Sequence, residues 1–169
     1  MDLGEVRGRS YFFLGHFSDV TNTLLIDTLL ARGDTYVDIG AHFGWLSVHA
    51  SRAAGPAGRV FAFEPSPDNF AVLEEHRSRN ALDNLRSWSV ALSDRRGEAG
   101  LTIGQDSATS TLRAPPRAER TVRVRVERLD ALLAPTDFVG RVLVKIDAEA
   151  TSIARSWGPD SCCRVQTWP

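Results

Sequence analysis

Three observations predict an α/β fold, a mostly parallel sheet with helices on both faces. β-rich runs and helical patterns alternate from Thr21 to Val90, and strands separated by helical crossovers pair in parallel. A glycine-bearing turn, Gly40-Ala41-His42-Phe43-Gly44, joins one β-rich run to a helix. A second run ends in Glu64-Pro65-Ser66-Pro67, which is a helix start with Ser66 as N-cap and Pro67 at the first helical position.

The elements follow in order. Residues 1–33 form an N-terminal segment and a helix, whose pattern starts at Thr21 with Leu24, Leu25, Thr28 and Leu29 at helical spacing and stops at Arg32-Gly33. Thr35–Ile39 reads as a strand. A helix begins at Trp45 and stops at Gly55-Pro56-Ala57-Gly58. Arg59–Glu64 is the second strand, and the helix after Ser66 runs to about Asn80. A third strand spans Leu85–Val90, and a turn lies at Arg95-Arg96-Gly97. Ala99–Ile103 and Thr121–Val126 alternate; in the latter Val122, Val124 and Val126 interleave with Arg123 and Arg125, as in a strand with one wet face. A Ser/Thr/Pro/Arg-rich loop of about residues 104–120 separates them. A short helix at Leu129–Leu133 precedes the last strand, Arg141–Asp147. Residues 34–149 make the ligand-binding domain, and residues 150–169 form an atypical tail.

Composition narrows the function classes. A chain of 169 residues is one domain by length, and 43% hydrophobic with 24% charged residues is ordinary for a globular protein. A formal net charge of −1 provides no global field toward nucleic acid or an anionic membrane. No apolar run approaches the ~20 residues of a membrane span. Tyr11-Phe12-Phe13-Leu14 is too short for a signal-peptide core, so a cytoplasmic location is expected. Cys162 and Cys163 are adjacent, and two cysteines alone do not make a metal site; no metal is expected. Lys145 is the one lysine among twenty basic residues.

In open α/β sheets ligands sit beyond the carboxyl ends of the strands. Four places qualify: Asp38–Gly44, Glu64, Val90–Asp94 and Lys145–Glu149. The first is the most telling. A dinucleotide-binding turn faces a pyrophosphate and reads G-x-G-x-x-G. Here the middle glycine is missing, and the carboxylate of Asp38 would repel a diphosphate. It suits a ligand with positive charge, such as the ammonium and sulfonium of S-adenosylmethionine. Glu64 at the end of the second strand can accept from both ribose hydroxyls, equally in a nicotinamide or an S-adenosylmethionine protein; as an ordinary acid it would simply complement the dipole of the following helix. Val90 and Ala91 stand where small groups could face an adenine. Lys145, Asp147 and Glu149 cluster where the last strand leaves the sheet.

These stretches, Val37–Gly44, Val60–Pro67, Val90–Asp94 and Val144–Glu149, resemble the FkbM family of S-adenosylmethionine-dependent methyltransferases in order and spacing across about residues 34–149. The resemblance implies a class I, Rossmann-like fold and methyl transfer to a hydroxyl of a small molecule, natural product or saccharide. It also implies roles. Asp38, Gly40, Ala41 and Gly44 shape the methionine side of the cofactor pocket, Glu64 holds the ribose, and Val90 and Ala91 lie against adenine. Lys145 and Glu149 lie toward the acceptor, and Asp147 is the general base, with His42 as the alternative.

The likeness stops after Glu149, so the C-terminal strands are expected to be missing or atypical. A partner copy covering the exposed sheet edge is one expectation. A cofactor-binding relic with impaired catalysis is the alternative to an active enzyme. A nicotinamide-dependent oxidoreductase is disfavoured by Asp38 and by the missing glycine.

Overall fold

The computed structural model describes residues 19–103 and 120–147. The expectations for residues 1–18, for 104–119 of the loop, for Glu149 and for the tail with its cysteines lie outside the described residues.

Helix α1 (Val20–Leu29) starts at Asp19, whose side chain accepts from the Asn22 N–H. It touches the core through Ile26 and, just past its end, Leu30; the leucines that mark its periodicity, Leu24, Leu25 and Leu29, are exposed. Strand β1 (Thr35–Ile39) is buried along its whole length, as a central parallel strand must be. It leads through the glycine turn into α2 (Trp45–Ala54). Strand β2 (Arg59–Phe63) passes into α3 (Pro67–Arg79), with Ser66 as N-cap accepting from the Asn69 N–H and Pro67 in the first turn. Strand β3 is Leu85–Trp88.

The third strand therefore ends two residues earlier than the sequence pattern indicates. The Glu64 N–H closes its ladder by donating to the Trp88 carbonyl. The Val90 side chain then enters the core, and Ala91–Leu92 (β4) joins a separate sheet. That sheet has the order β4-β6-β5, with β5 at Gly97–Ile103 and β6 at Arg120–Glu127. Strands β5 and β6 are antiparallel, so Val122 and Val124 face Leu101 and Ala99. The short helix α4 (Leu129–Leu132) and a 3-10 turn at Pro135–Asp137 lead into β7 (Val142–Ile146).

The main sheet runs β3-β2-β1-β7, all parallel. One face carries Tyr36, Val60, Ala62 and Leu85 against Ile26, Leu46, Ala50 and Leu73 of the helices. The other carries Val37, Ile39, Phe61 and Phe63 against Val90, Leu92 and Leu133. Trp88 stacks on Phe63 with ring centroids 4.9 Å apart. This is the mostly parallel, helix-flanked, Rossmann-like arrangement the sequence predicts.

A single carboxylate ties the strand-entry end together. Asp34 is buried and accepts from the Ala31 and Arg141 amides, each at 2.9 Å, and from the Arg141 guanidinium at 2.9 Å and 3.1 Å. Burial pushes its carboxyl up, but these bonds together hold it below the usual carboxylate range. Asp34 thus joins the end of α1, the start of β1 and the start of β7. On the face of β7 that continues Val37 and Ile39, Val142, Val144 and Ile146 are exposed. Among the described residues no further strand pairs with the outer edge of β7. No described helix is long and apolar enough to cross a membrane.

Candidate functional site

The parallel register fixes what meets at the carboxyl ends of the strands. Asp38 lies opposite Ala62 on one side and Lys145 on the other, so side chains from the first and last described strands share one face. Asp38 is wholly buried. Its Oδ2 accepts from the Ser47 hydroxyl in the first turn of α2 at 2.6 Å. Its Oδ1 lies 3.1 Å from the Lys145 ammonium, yet no hydrogen bond among the described residues reaches that oxygen. The ammonium instead donates to the Gly40 carbonyl at 2.8 Å, and Asp147 Oδ2 is 3.8 Å away. Lys145 is itself largely buried, with 13% of its side chain exposed, while Asp147 is 63% exposed.

The turn between β1 and α2 is held from below and from the side. The Gly40 and Ala41 amides both donate to the Phe63 carbonyl at the end of β2, which bends the chain sharply. Gly40 (φ 77°), His42 (φ 54°) and Gly44 (φ 76°) all lie in the left-handed region. A Cβ on Gly44 would stand 2.7 Å from Leu73 Cγ, so glycine is required there for both backbone conformation and space. His42 is the unusual member, a non-glycine residue at positive φ. The Glu64 carboxylate holds it there, with Oε2 accepting the His42 N–H at 2.7 Å. Its Oε1 accepts the Ser66 N–H at 2.9 Å. Burial pushes the Glu64 carboxyl above its ordinary value, against the pull of those two amides and of Asn69, and the nearby charge of Asp38 adds to the rise. His76 at the end of α3 bonds the Phe43 carbonyl at 2.8 Å and closes the far side of the turn.

Asp38, Gly40, Ala41, Gly44, Glu64, Lys145 and Asp147 are thereby brought to one end of one sheet. The Asp147 N–H continues the register by donating to the Ile39 carbonyl. Val90 and Ala91 are buried nearby, Val90 among Phe61, Phe63 and Leu92, and Ala91 against Leu101 and Val124 of the second sheet. Sequence reasoning missed three contributors: Ser47, which anchors Asp38; Asn69, which supports Glu64 at 3.5 Å; and Leu73, which sets the width of the turn. Only the last carries any sequence signal, as an apolar position of a helical pattern.

The donor set fits a methyl donor of the S-adenosylmethionine type. Among the described residues three carboxylates, Asp38, Glu64 and Asp147, gather here with one ammonium, and the buried Asp38 Oδ1 accepts no hydrogen bond. A ligand with two cationic groups and one carboxylate is favoured by such a field; a diphosphate is repelled.

The family profile described as the methyltransferase FkbM domain matches residues 38–150, more than half of the chain. No curated protein sequence matches it. Solved structures similar to it include an S-adenosylmethionine-dependent methyltransferase from Aquifex aeolicus, at 24% identity and TM-score 0.35, covering 37% of this chain and 34% of that one. An S-adenosylmethionine-dependent O-methyltransferase from Thermotoga maritima aligns at 19% identity and TM-score 0.40, covering 47% and 32%. A protein-L-isoaspartate O-methyltransferase aligns at 22% identity and TM-score 0.39, covering 42% and 23%. The aligned part thus spans about a third or less of each of these three chains, and the assignment rests on the family profile.

Proposed function

This chain is a member of the FkbM methyltransferase domain family, whose methyl donor is S-adenosylmethionine, and on that premise we propose that it methylates a hydroxyl group of a small molecule, natural product or saccharide. The observation that carries the reading is the acid-lined glycine turn, in which Asp38 and Glu64 brace one loop from beneath and beside it.

When bound, the donor supplies a sulfonium methyl open to in-line displacement by the acceptor oxygen. The chain's own residues act around that event. Asp38, fully buried and paired with Ser47 and Lys145, fixes the turn and contributes negative potential on the methionine side without reaching solvent. Gly40, Ala41 and Gly44 let the backbone approach the ligand closely. Glu64 holds the His42 amide and offers its remaining lone pairs to ribose hydroxyls. Val90 and Ala91 bound the adenine end. Asp147, the exposed carboxylate of the group, takes the proton of the acceptor hydroxyl, with the Lys145 ammonium 3.8 Å from it. Since the transfer joins two positioned groups, orientation supplies most of the acceleration.

Calorimetry with S-adenosylmethionine, S-adenosylhomocysteine and NAD tests the reading. The two adenosylated amino acids are expected to bind and NAD is not. Asp38→Ala and Glu64→Ala are each expected to weaken binding by about 1.5–3 kcal/mol through lost charge-assisted hydrogen bonds and lost bracing of the turn. Unchanged affinity in both variants, or preferential NAD binding, would overturn it.

A further inference from the structure

At the opposite end of the sheet, where β2 and β3 begin, lies an open groove of about 720 Å³ lined by Arg32, Arg52, Arg59 and Arg86 together with Asp83 and Asn84. It is separated from the acid-lined turn by the length of β2, five residues at about 3.3 Å each, or about 16 Å. The two ends of the sheet therefore differ in sign.

Arginines next to a helix C-terminus ordinarily serve its free carbonyls, and the groove does border the end of α2. The carbonyls of Ser51, Ala54 and the capping Gly55 are already taken. The Asn84 side-chain amide donates to the Ser51 carbonyl at 2.9 Å and to the Gly55 carbonyl at 2.8 Å, and the Gly33 N–H donates to the Ala54 carbonyl at 2.8 Å. Among the described residues none of the four guanidinium groups bonds a carbonyl of that helix end. Arg52 reaches a single, neutral acceptor among the described residues, Asn80 Oδ1 at 2.5 Å. Among the described residues Arg32 makes no hydrogen bond or ion pair; its guanidinium lies over Gly55. Arg59 and Arg86 share one carboxylate, Asp137, at 4.0 Å and 3.2 Å, and Arg59 also donates to the Asp137 and Thr136 carbonyls at 2.8 Å and 3.3 Å. Arg86 is also held over the Trp88 and Phe61 rings, 5.1 Å and 5.8 Å from their centroids, which preorganises it. Four guanidinium groups thus face two carboxylates, Asp83 and Asp137, and the groove keeps an excess of two positive charges.

We propose that this groove is a second ligand site, which binds a small phosphate- or diphosphate-bearing molecule. Planar guanidinium forks match phosphate oxygens in pairs, and the space exceeds what a bare phosphate fills and falls in the range of small-molecule sites. The site stands independently of the methyl-transfer reading, since it shares no residue with the strand-end cluster.

Calorimetric titration of inorganic pyrophosphate into the protein saturated with S-adenosylhomocysteine tests it, with inorganic phosphate as a second probe. Pyrophosphate is expected to bind saturably, one per chain, with a Kd at or below about 1 mM and more tightly than phosphate. R32Q/R52Q, which changes two exposed side chains, is expected to weaken pyrophosphate at least about tenfold while leaving the urea midpoint and S-adenosylhomocysteine affinity as in the wild type. R32K/R52K, which keeps charge but loses the forks, is expected to fall between. Absence of saturable binding, wild-type affinity in R32Q/R52Q, or competition between pyrophosphate and S-adenosylhomocysteine would overturn the proposal.

Discussion

The pair formed by Asp38 and Lys145 offers the most quantitative test of how the strand ends are built. The carboxylate is fully buried and its other support is one hydroxyl, Ser47 at 2.6 Å. Lys145→Met keeps the aliphatic stem but removes the one cation paired with Asp38 among the described residues, so a buried charge is left uncompensated. Breaking a buried pair in this way costs about 3–5 kcal/mol, equivalent to a Tm lower by about 6–20 °C for a domain of this size. Asp38→Asn is expected to be milder, about 1.5–3 kcal/mol. There the ammonium keeps the Gly40 carbonyl at 2.8 Å and stays near Asp147, and the new amide can still accept from Ser47. The double variant D38N/K145M holds no buried charge at all. It is expected to cost no more than K145M alone, leaving a coupling of about 1.5–3 kcal/mol between the two positions. Urea denaturation followed by circular dichroism on the four proteins gives each free energy. Strictly additive costs would refute the reasoning, because they would mean that the ammonium and the carboxylate do not depend on each other. A K145M protein as stable as the wild type would refute it as well.

Two further outcomes follow from the geometry. Gly44→Ala is expected to destabilise by about 1–2 kcal/mol for a left-handed alanine, plus about 1–3 kcal/mol of overpacking against Leu73. It should also loosen S-adenosylmethionine binding; a variant with wild-type urea midpoint and affinity would show that the turn tolerates a Cβ. For Asp34, the folded carboxyl titrates below its unfolded value, so it adds stability above the unfolded pKa of about 3.9, lost as pH falls through the lower folded value. Denaturation from about pH 5 down to pH 2 should show a shallower acid loss in Asp34→Asn than in the wild type, and parallel profiles would exclude this role.

Much of the main sheet was legible because its signals are local. Apart from Asp38 and the leading Arg59, Thr35–Ile39 and Arg59–Phe63 are apolar or β-branched runs, and Ser66-Pro67 writes a helix start in two residues. The glycine turn is likewise local, since positive φ and a close approach both demand glycine at Gly44. The break after Trp88 was not legible. Nothing in Trp88-Ser89-Val90-Ala91 marks where one sheet ends and another begins, because Val90 and Ala91 look alike as apolar residues and only packing sends one to the main core and the other to the second sheet. Leu24, Leu25 and Leu29 are the converse case: their spacing announces a helix but says nothing of which side meets a neighbour.

By itself, the sequence determined the alternation of strand and helix, the conformation of the turn and the presence of acids at strand ends. Each of these depends on residues close together in the chain. The tertiary structure alone decided who partners whom. Lys145 stands 107 positions from Asp38, and it is the parallel register of β1 with β7 that places its ammonium against a buried carboxylate and the Gly40 carbonyl. Ser47 reaches the same carboxylate from a helix, and Glu64 holds an amide of the neighbouring turn, both through contacts for which local pattern has no period. The arginines at the far end show this most plainly. In the sequence they are scattered single residues, whereas the fold gathers four of them around one groove and assigns the helix carbonyls to Asn84 instead. Charge at a distance in the chain becomes a local field only when the backbone closes the distance.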